Sequence, residues 1–241
     1  MSRRAFVFDL FHTLANPEDY RPRDFDRIEQ ASAAVGLDPA VVKSHWLANL
    51  HLVATSRIEP VDVLRELCDA AGISAAERQF AAADTAIGRF QDDALRQPIP
   101  GSVDTLDALR NAGWLIGLLS NAHVRDIKAW DESPLDPLID VAHFSCYQGV
   151  AKPDLTAYTQ ILAELEVAPE EAVFVGDGGS NELAGANAAG FGHVVLMAGP
   201  ALDSGFRTQE DVDLLAEDAT AVINSVRDLP ALSERISAGM R

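Results

Sequence analysis

Few lysines and cysteines occur in this chain of 241 residues, and no apolar run approaches membrane-spanning length. Lysine stands only at positions 43, 128 and 152, so a lysine in a reactive-looking context is easy to notice. Cys68 and Cys146 lie far apart without metal-type spacing, which predicts two free thiols in a reducing compartment. The longest apolar runs have the length of strands, which excludes a transmembrane helix. Basic charge is also short, 19 residues against 37 acidic ones for a net charge of -18. That balance opposes nucleic acid and anionic membranes over most of the surface. Met1-Ser2-Arg3-Arg4 is basic but runs into apolar sequence with no cleavage-site pattern behind it, so a cytoplasmic location is expected. The chain contains no internal repeat and no low-complexity tract.

What is present alternates between two periodicities. Ala5-Phe6-Val7-Phe8 has the character of a buried strand and stops on Asp9. From Asp24 to Arg96 the spacing is helical throughout. Asp38-Pro39 opens one helix, Ser74-Ala-Ala-Glu77 reads as a capping box for another, and Gly36 and Gly72 close helices. Pro98-Ile-Pro100-Gly101 then punctuates the chain. Beyond it strands are expected at 114–119, 141–145, 172–175 and 193–197, with helices at 102–112, 154–166 and 180–189. The acidic tail from Asp203 is expected to turn helical over 220–232. Strands alternating with helices imply right-handed crossovers and a parallel sheet covered on both faces. The expected fold class is therefore α/β, a Rossmann-like three-layer core formed by residues 1–15 and 99–241. Residues 16–98 are expected to form a small α-helical cap domain.

Three strands end on reactive side chains, and one lysine follows in a loop. They are Asp9, Ser120 with Asn121, Lys152 before Pro153, and Asp177 within Gly176-Asp-Gly-Gly179. Each has a dull reading as a turn or a solvated loop. Together they make a chemical set. Two carboxylates can hold a hard cation such as Mg²⁺, and a hydroxyl, backbone amides and an ammonium can bind a tetrahedral dianion. The glycine-rich turn lacks the spacing and the following lysine of a nucleotide loop.

In order, spacing and type these residues resemble the haloacid dehalogenase (HAD) superfamily, whose members are mostly Mg²⁺-dependent phosphatases. The resemblance covers essentially the whole chain, with the helical insert similar to that family's mobile cap. It implies that Asp9 is a nucleophile forming an aspartyl-phosphate. It further implies that Ser120, with Asn121 beside it, binds the phosphoryl oxygens, that Lys152 neutralises nucleophile and transferring group, and that Thr13 lies near the phosphate. Asp9, Asp177 and the main-chain carbonyl of Phe11 would be Mg²⁺ ligands, with Glu182 or Asn181 in support. The substrate implied is a small anionic metabolite; the sequence carries no signal of oligomeric state.

One departure opens rival readings. Where phosphatases of this family carry a second Asp, two residues after the nucleophile, this chain has Phe11. General acid–base help is worth ~10²–10⁴ in rate. His12 is adjacent, but in an extended segment neighbours point in opposite directions, which argues against its substituting. The dehalogenases of the superfamily have an aromatic residue at this position and use no metal. Asp9 beside Asp177 without a cation would set two carboxylates in repulsion, favouring Mg²⁺ and phosphoryl chemistry. A carbon–phosphorus hydrolase needs a cap lysine, for which only Lys43 is available, and a degenerate binding protein would also lose the acid. His45 and His51, read as six apart on one helix, fall on different faces. His123 and Arg125 are expected near the rim, and Arg21, Arg23, Arg27 and Arg57 are candidates to face an anionic substrate.

Overall fold

The computed structural model describes residues 3–239; Met1 and Ser2 of the basic N-terminal stretch lie outside them. β1 (Ala5–Phe8) is buried on both faces, as a central parallel strand must be. Its side chains alternate between two separate cores: Phe6 and Phe8 enter one, Ala5 and Val7 the other.

The helical insert follows as α1 (Arg27–Val35), α2 (Pro39–Ala48), α3 (Leu50–Ala54), α4 (Pro60–Ala71) and α5 (Glu77–Arg96). Asp26 caps α1 through the amides of Ile28 and Glu29, and Asp38 caps α2 through that of Ala40. Gly36 and Gly72 take the left-handed conformation that ends α1 and α4. The expected capping box at Ser74 is corrected. α5 starts at Glu77, and the Gln79 side chain accepts from the Ala76 amide at 2.9 Å. Glu77 is left free to form a bidentate pair with Arg65. The histidine reading is also corrected, because the helix breaks at Asn49 and His45 and His51 lie on α2 and α3. The insert has an apolar cluster of its own, in which Val35, Leu64, Phe80 and Ile87 meet.

The chain re-enters the sheet beside its exit. Ile99 N–H and the Ser102 hydroxyl both donate to the Leu14 carbonyl, at 2.9 and 3.0 Å. Then come α6 (Ser102–Asn111), β2 (Leu115–Ser120), β3 (Val141–Phe144), α7 (Ser145–Gln148), α8 (Leu155–Leu165), β4 (Ala172–Gly176), α9 (Glu182–Ala188), β5 (His193–Met197), α10 (Gly199–Asp203), α11 (Gln209–Leu215), β6 (Ala221–Ile223) and α12 (Leu229–Gly239). The six strands among the described residues are parallel in the order β3-β2-β1-β4-β5-β6. Leu106 and Leu109 of α6, with Leu229 and Leu232 of the C-terminal helix, cover one face. Tyr158 and Ile161 of α8, with Leu183 of α9, cover the other. This is the expected three-layer, Rossmann-like α/β core. The helix expected over 220–232 is corrected to the edge strand β6 followed by α12. Three residues are too few to show a period, and β6 is held by pairing with β5 rather than by its own pattern. No helix among the described residues is long and apolar enough to cross a membrane.

The insert is tied to the core by buried charge. Arg125 donates two bonds of 2.8 Å to Asp92 of α5 and lies 3.0 Å from Asp84. Gly88 makes room, since a Cβ there would stand 2.2 Å from the guanidinium. Asp126 faces Arg27 of α1 at 3.3 Å and the His123 ring at 2.9 Å. Burial pushes the Asp126 carboxyl up, but His123 and Arg27 outweigh it and hold it well below the usual carboxylate range. A depressed acid stabilises the fold above its unfolded value and loses that stabilisation as pH falls through its folded value. Asp126→Asn is therefore expected to cost about 1–3 kcal/mol at pH 7, with the gap to the parent narrowing toward pH 3 in urea unfolding. Equal gaps at the two pH values would contradict the assignment.

Candidate active site

β1 and β4 are neighbours in register, Phe8 opposite Val175, at the place where the strand order reverses. Ligands of open α/β sheets bind outside the strand carboxyl ends at such a point. Asp9 continues the ladder there, its N–H donating to the Val175 carbonyl at 2.8 Å. The chain then folds back on itself. The Leu10 carbonyl accepts from Leu14 and Ala15, and His12 N–H donates to Ala15 at 2.7 Å. His12 adopts a left-handed φ of 62°. The segment is thus a turn and not extended, so the alternation expected of an extended segment does not apply to Phe11 and His12. Both line the same cavity of about 160 Å³, together with Asp9, Ser120, Asn121, Lys152, Asp177 and Glu182. His12 Nδ1 lies 3.0 Å from Asn16 Oδ1, and its ring stacks on Phe206 at 4.1 Å.

Ser120 closes β2 and is 1% exposed, yet its hydroxyl has no protein partner. A buried hydroxyl left unsatisfied is costly, so it points to a ligand. Asn121 lines the cavity beside Ser120 and also has a structural use. Its amide both donates to the Lys152 carbonyl and accepts from the Lys152 amide, each at 2.8 Å. That pair of bonds holds the Lys152 backbone. Lys152, buried to 4% exposure, sends Nζ to Asp9 Oδ1 at 2.6 Å and to Glu182 Oε2 at 2.5 Å. Thr13 donates to Asp9 Oδ2 at 3.3 Å from full burial.

Asp177 follows β4 in the glycine turn. Its Oδ1 accepts from Gly179 N–H at 3.0 Å, and Oδ2 meets Arg207 Nη2 at 2.7 Å. Glu182, the first residue of α9, accepts from Gly178 N–H at 2.9 Å. Its Oε1 lies 2.2 Å from where a Cβ on Gly176 would stand, so only glycine admits the carboxylate there. Asp9, Asp177 and Glu182 offer oxygens all within 4.8 Å of one another. Three buried carboxylates against two cations leave the site short of positive charge. Burial pushes Asp9 up and Asp177 adds to the rise against the pull of Lys152; Glu182 is pushed up to about 8 by burial, again against Lys152. Lys152 stays charged, its ammonium raised by the two carboxylates it touches despite burial. Hard oxygen donors with surplus negative charge fit a divalent cation.

Several expected residues lie elsewhere. Asn181 is exposed and is not among the residues lining the cavity. The left-handed turn at Ser180 and Asn181 carries the chain outward before α9 begins. Arg125 is spent on Asp84 and Asp92, and His123 packs against Trp46. Arg21 pairs with Glu18, Arg27 with Asp126, and Arg57 covers the Tyr147 ring; neither they nor Arg23 line the cavity. Lys43 is exposed on α2. Cys68 and Cys146 are free and buried. Sequence reading missed Phe206 and Arg207, which reach the site from the acidic tail. The one signal was that Arg207 is the only basic residue between Asp203 and Asp218.

A strand-end cluster of this kind on a three-layer parallel sheet defines a class of α/β hydrolases, and the comparisons agree. A family model described as haloacid dehalogenase-like hydrolase matches residues 3–190. The chain belongs to that family. It is 30% identical over 140 residues to a glyceraldehyde 3-phosphate phosphatase of Methanopyrus kandleri, covering 55% of this chain and 58% of that one. It is 29% identical over 238 residues to phosphoglycolate phosphatase 1 of Pseudomonas aeruginosa, covering 94% and 78%. In fold it resembles a 2-haloacid dehalogenase from Pseudomonas syringae, with TM-score 0.63, 22% identity, and 98% and 99% of the two chains covered. It also resembles an HAD phosphatase from Thermococcus onnurineus, with TM-score 0.62, 19% identity, and 95% and 97% covered.

Proposed function

We propose that this protein is a Mg²⁺-dependent phosphatase of small phosphorylated metabolites, with Asp9 as its nucleophile. The observation that carries the reading is the convergence of Asp9, Asp177 and Glu182 around one point, with Lys152 beside them and the Ser120 hydroxyl unengaged. The names of the two curated relatives favour phosphate esters. Asp9, Asp177 and the Phe11 carbonyl would hold Mg²⁺, with Glu182 behind them; bound there, the ion would screen the phosphoryl group from the carboxylate that attacks it.

The side chains divide the remaining work. An Asp9 carboxylate oxygen attacks phosphorus, the ester P–O bond breaks, and the leaving alkoxide takes a proton from solvent. Lys152 offsets the charge of nucleophile and phosphoryl group, and the Ser120 hydroxyl donates to a phosphoryl oxygen. Asn121 acts as a positioning residue for Lys152. Thr13, bonded to Asp9, fixes the carboxylate plane. Water then cleaves the aspartyl-phosphate and releases phosphate. Residues 16–98 serve as a cap domain over the core of 1–15 and 99–241, excluding water when the substrate is bound.

Phe11 has no proton to give, so leaving groups that need none should be favoured. With Mg²⁺, p-nitrophenyl phosphate and acetyl phosphate are expected to turn over, and simple alkyl phosphates ~10²–10⁴ more slowly. A second reading rests on the same Phe11, which resembles the dehalogenase pattern. Chloride release from 2-chloropropionate, with both phosphates left intact, would overturn the phosphatase reading in its favour.

A further inference from the structure

Each acidic group of the site has a cation, but not the same one. Lys152 bonds Asp9 and Glu182, whereas Asp177 is met by Arg207 at 2.7 Å. The Arg207 side chain is 18% exposed, and its Nε is buried without a partner. Its segment lies between α10 and α11. Phe206 stacks on His12 with the rings 8° from parallel, and α11 beyond it packs its last residue on the glycine turn, the Leu215 side chain coming within 2.8 Å of a Cβ built on Gly178. The tail therefore seats one positive charge against the single carboxylate that Lys152 does not serve.

We infer that Arg207 is a positioning residue that trades affinity for the divalent cation against affinity for the substrate's phosphoryl group. A guanidinium on Asp177 competes with a cation for that carboxylate and repels it. The same charge, mostly shielded from water, attracts an incoming dianion, and the unpaired Nε is a donor still to be used. Removing it must shift the two affinities in opposite directions. A loss of packing alone would weaken both.

The inference rests on the phosphatase reading for its ligands, and its test needs no turnover. Mn²⁺ binding is measured by electron paramagnetic resonance in the parent chain, Arg207→Gln and Arg207→Lys, and inorganic phosphate binding by calorimetry at saturating Mn²⁺. In Arg207→Gln, Mn²⁺ is expected to bind about tenfold more tightly and phosphate about tenfold more weakly, with Arg207→Lys returning both toward the parent. Unchanged affinities, or weakening of both, overturn the inference and leave the phosphatase reading standing. Failure of parent and variant alike to bind Mn²⁺ overturns both.

Discussion

Replacing Asp9 by Asn is expected to lower phosphatase turnover by ~10⁴-fold or more while leaving the chain folded. The amide has nearly the shape of the carboxylate; its one oxygen can still accept from Lys152 in the place of Oδ1, and the Thr13 hydroxyl can turn to accept from the NH2 that replaces Oδ2. It cannot attack phosphorus, and the other two carboxylates of the cavity are engaged, Glu182 by Lys152 and the Gly178 amide and Asp177 by Arg207 and the Gly179 amide. Stability should move the other way. Burial raises the folded Asp9 carboxyl above its unfolded value, so the ionised form opposes folding as pH rises through that window. The neutral amide of the variant has no such penalty, and its thermal midpoint at pH 7 is expected to equal or exceed that of the parent. Turnover close to the parent's in a variant of unchanged circular dichroism would refute the covalent mechanism. A variant that simply unfolds would refute the electrostatic account.

The fold was legible wherever burial imposes a pattern. β1 and β4 read as unbroken apolar runs because a central parallel strand has no solvent face, and their carboxyl ends announced Asp9 and Asp177. The juxtaposition of these ends follows from strand order, which right-handed crossovers restrict without determining. What escaped the sequence depends on contacts that have no local period. The edge strand β6 is held by its neighbour, and the reversal at His12 is held by hydrogen bonds to Leu10 and Ala15. Asn121 looked like a ligand group because its residue type allows it; only the return of the chain at Lys152 shows where its amide is used. Arg207 belongs to the same kind. Its partner lies 30 residues earlier, and nothing in the tail's composition singles out Asp177 as its target.

Lys152→Met should be the most destabilising change at the site as well as an inactivating one. The ammonium lies between two buried carboxylates, 2.6 Å from Asp9 and 2.5 Å from Glu182, and the Met side chain fills similar volume without charge. Removing one member of a buried ionic cluster strands the others, at a cost of about 3–5 kcal/mol. For a chain of this size that lowers the thermal midpoint by roughly 6–20 °C. The penalty has a definite pH dependence. Burial already pushes Glu182 up to about 8 against the pull of Lys152, and without Lys152 both carboxyls rise further. Raised acids bind protons in the folded state, so the variant should lose least stability near pH 5 and most above pH 8. A second substitution separates architecture from chemistry. In Lys152→Met/Glu182→Gln one stranded charge is gone, so part of the lost stability should return. Turnover should not, because neither Asp9 nor the transferring phosphoryl group regains its counter-charge. A double variant that recovers activity along with stability would show Lys152 to be structural, and would move the phosphoryl-binding role to Ser120 and Arg207.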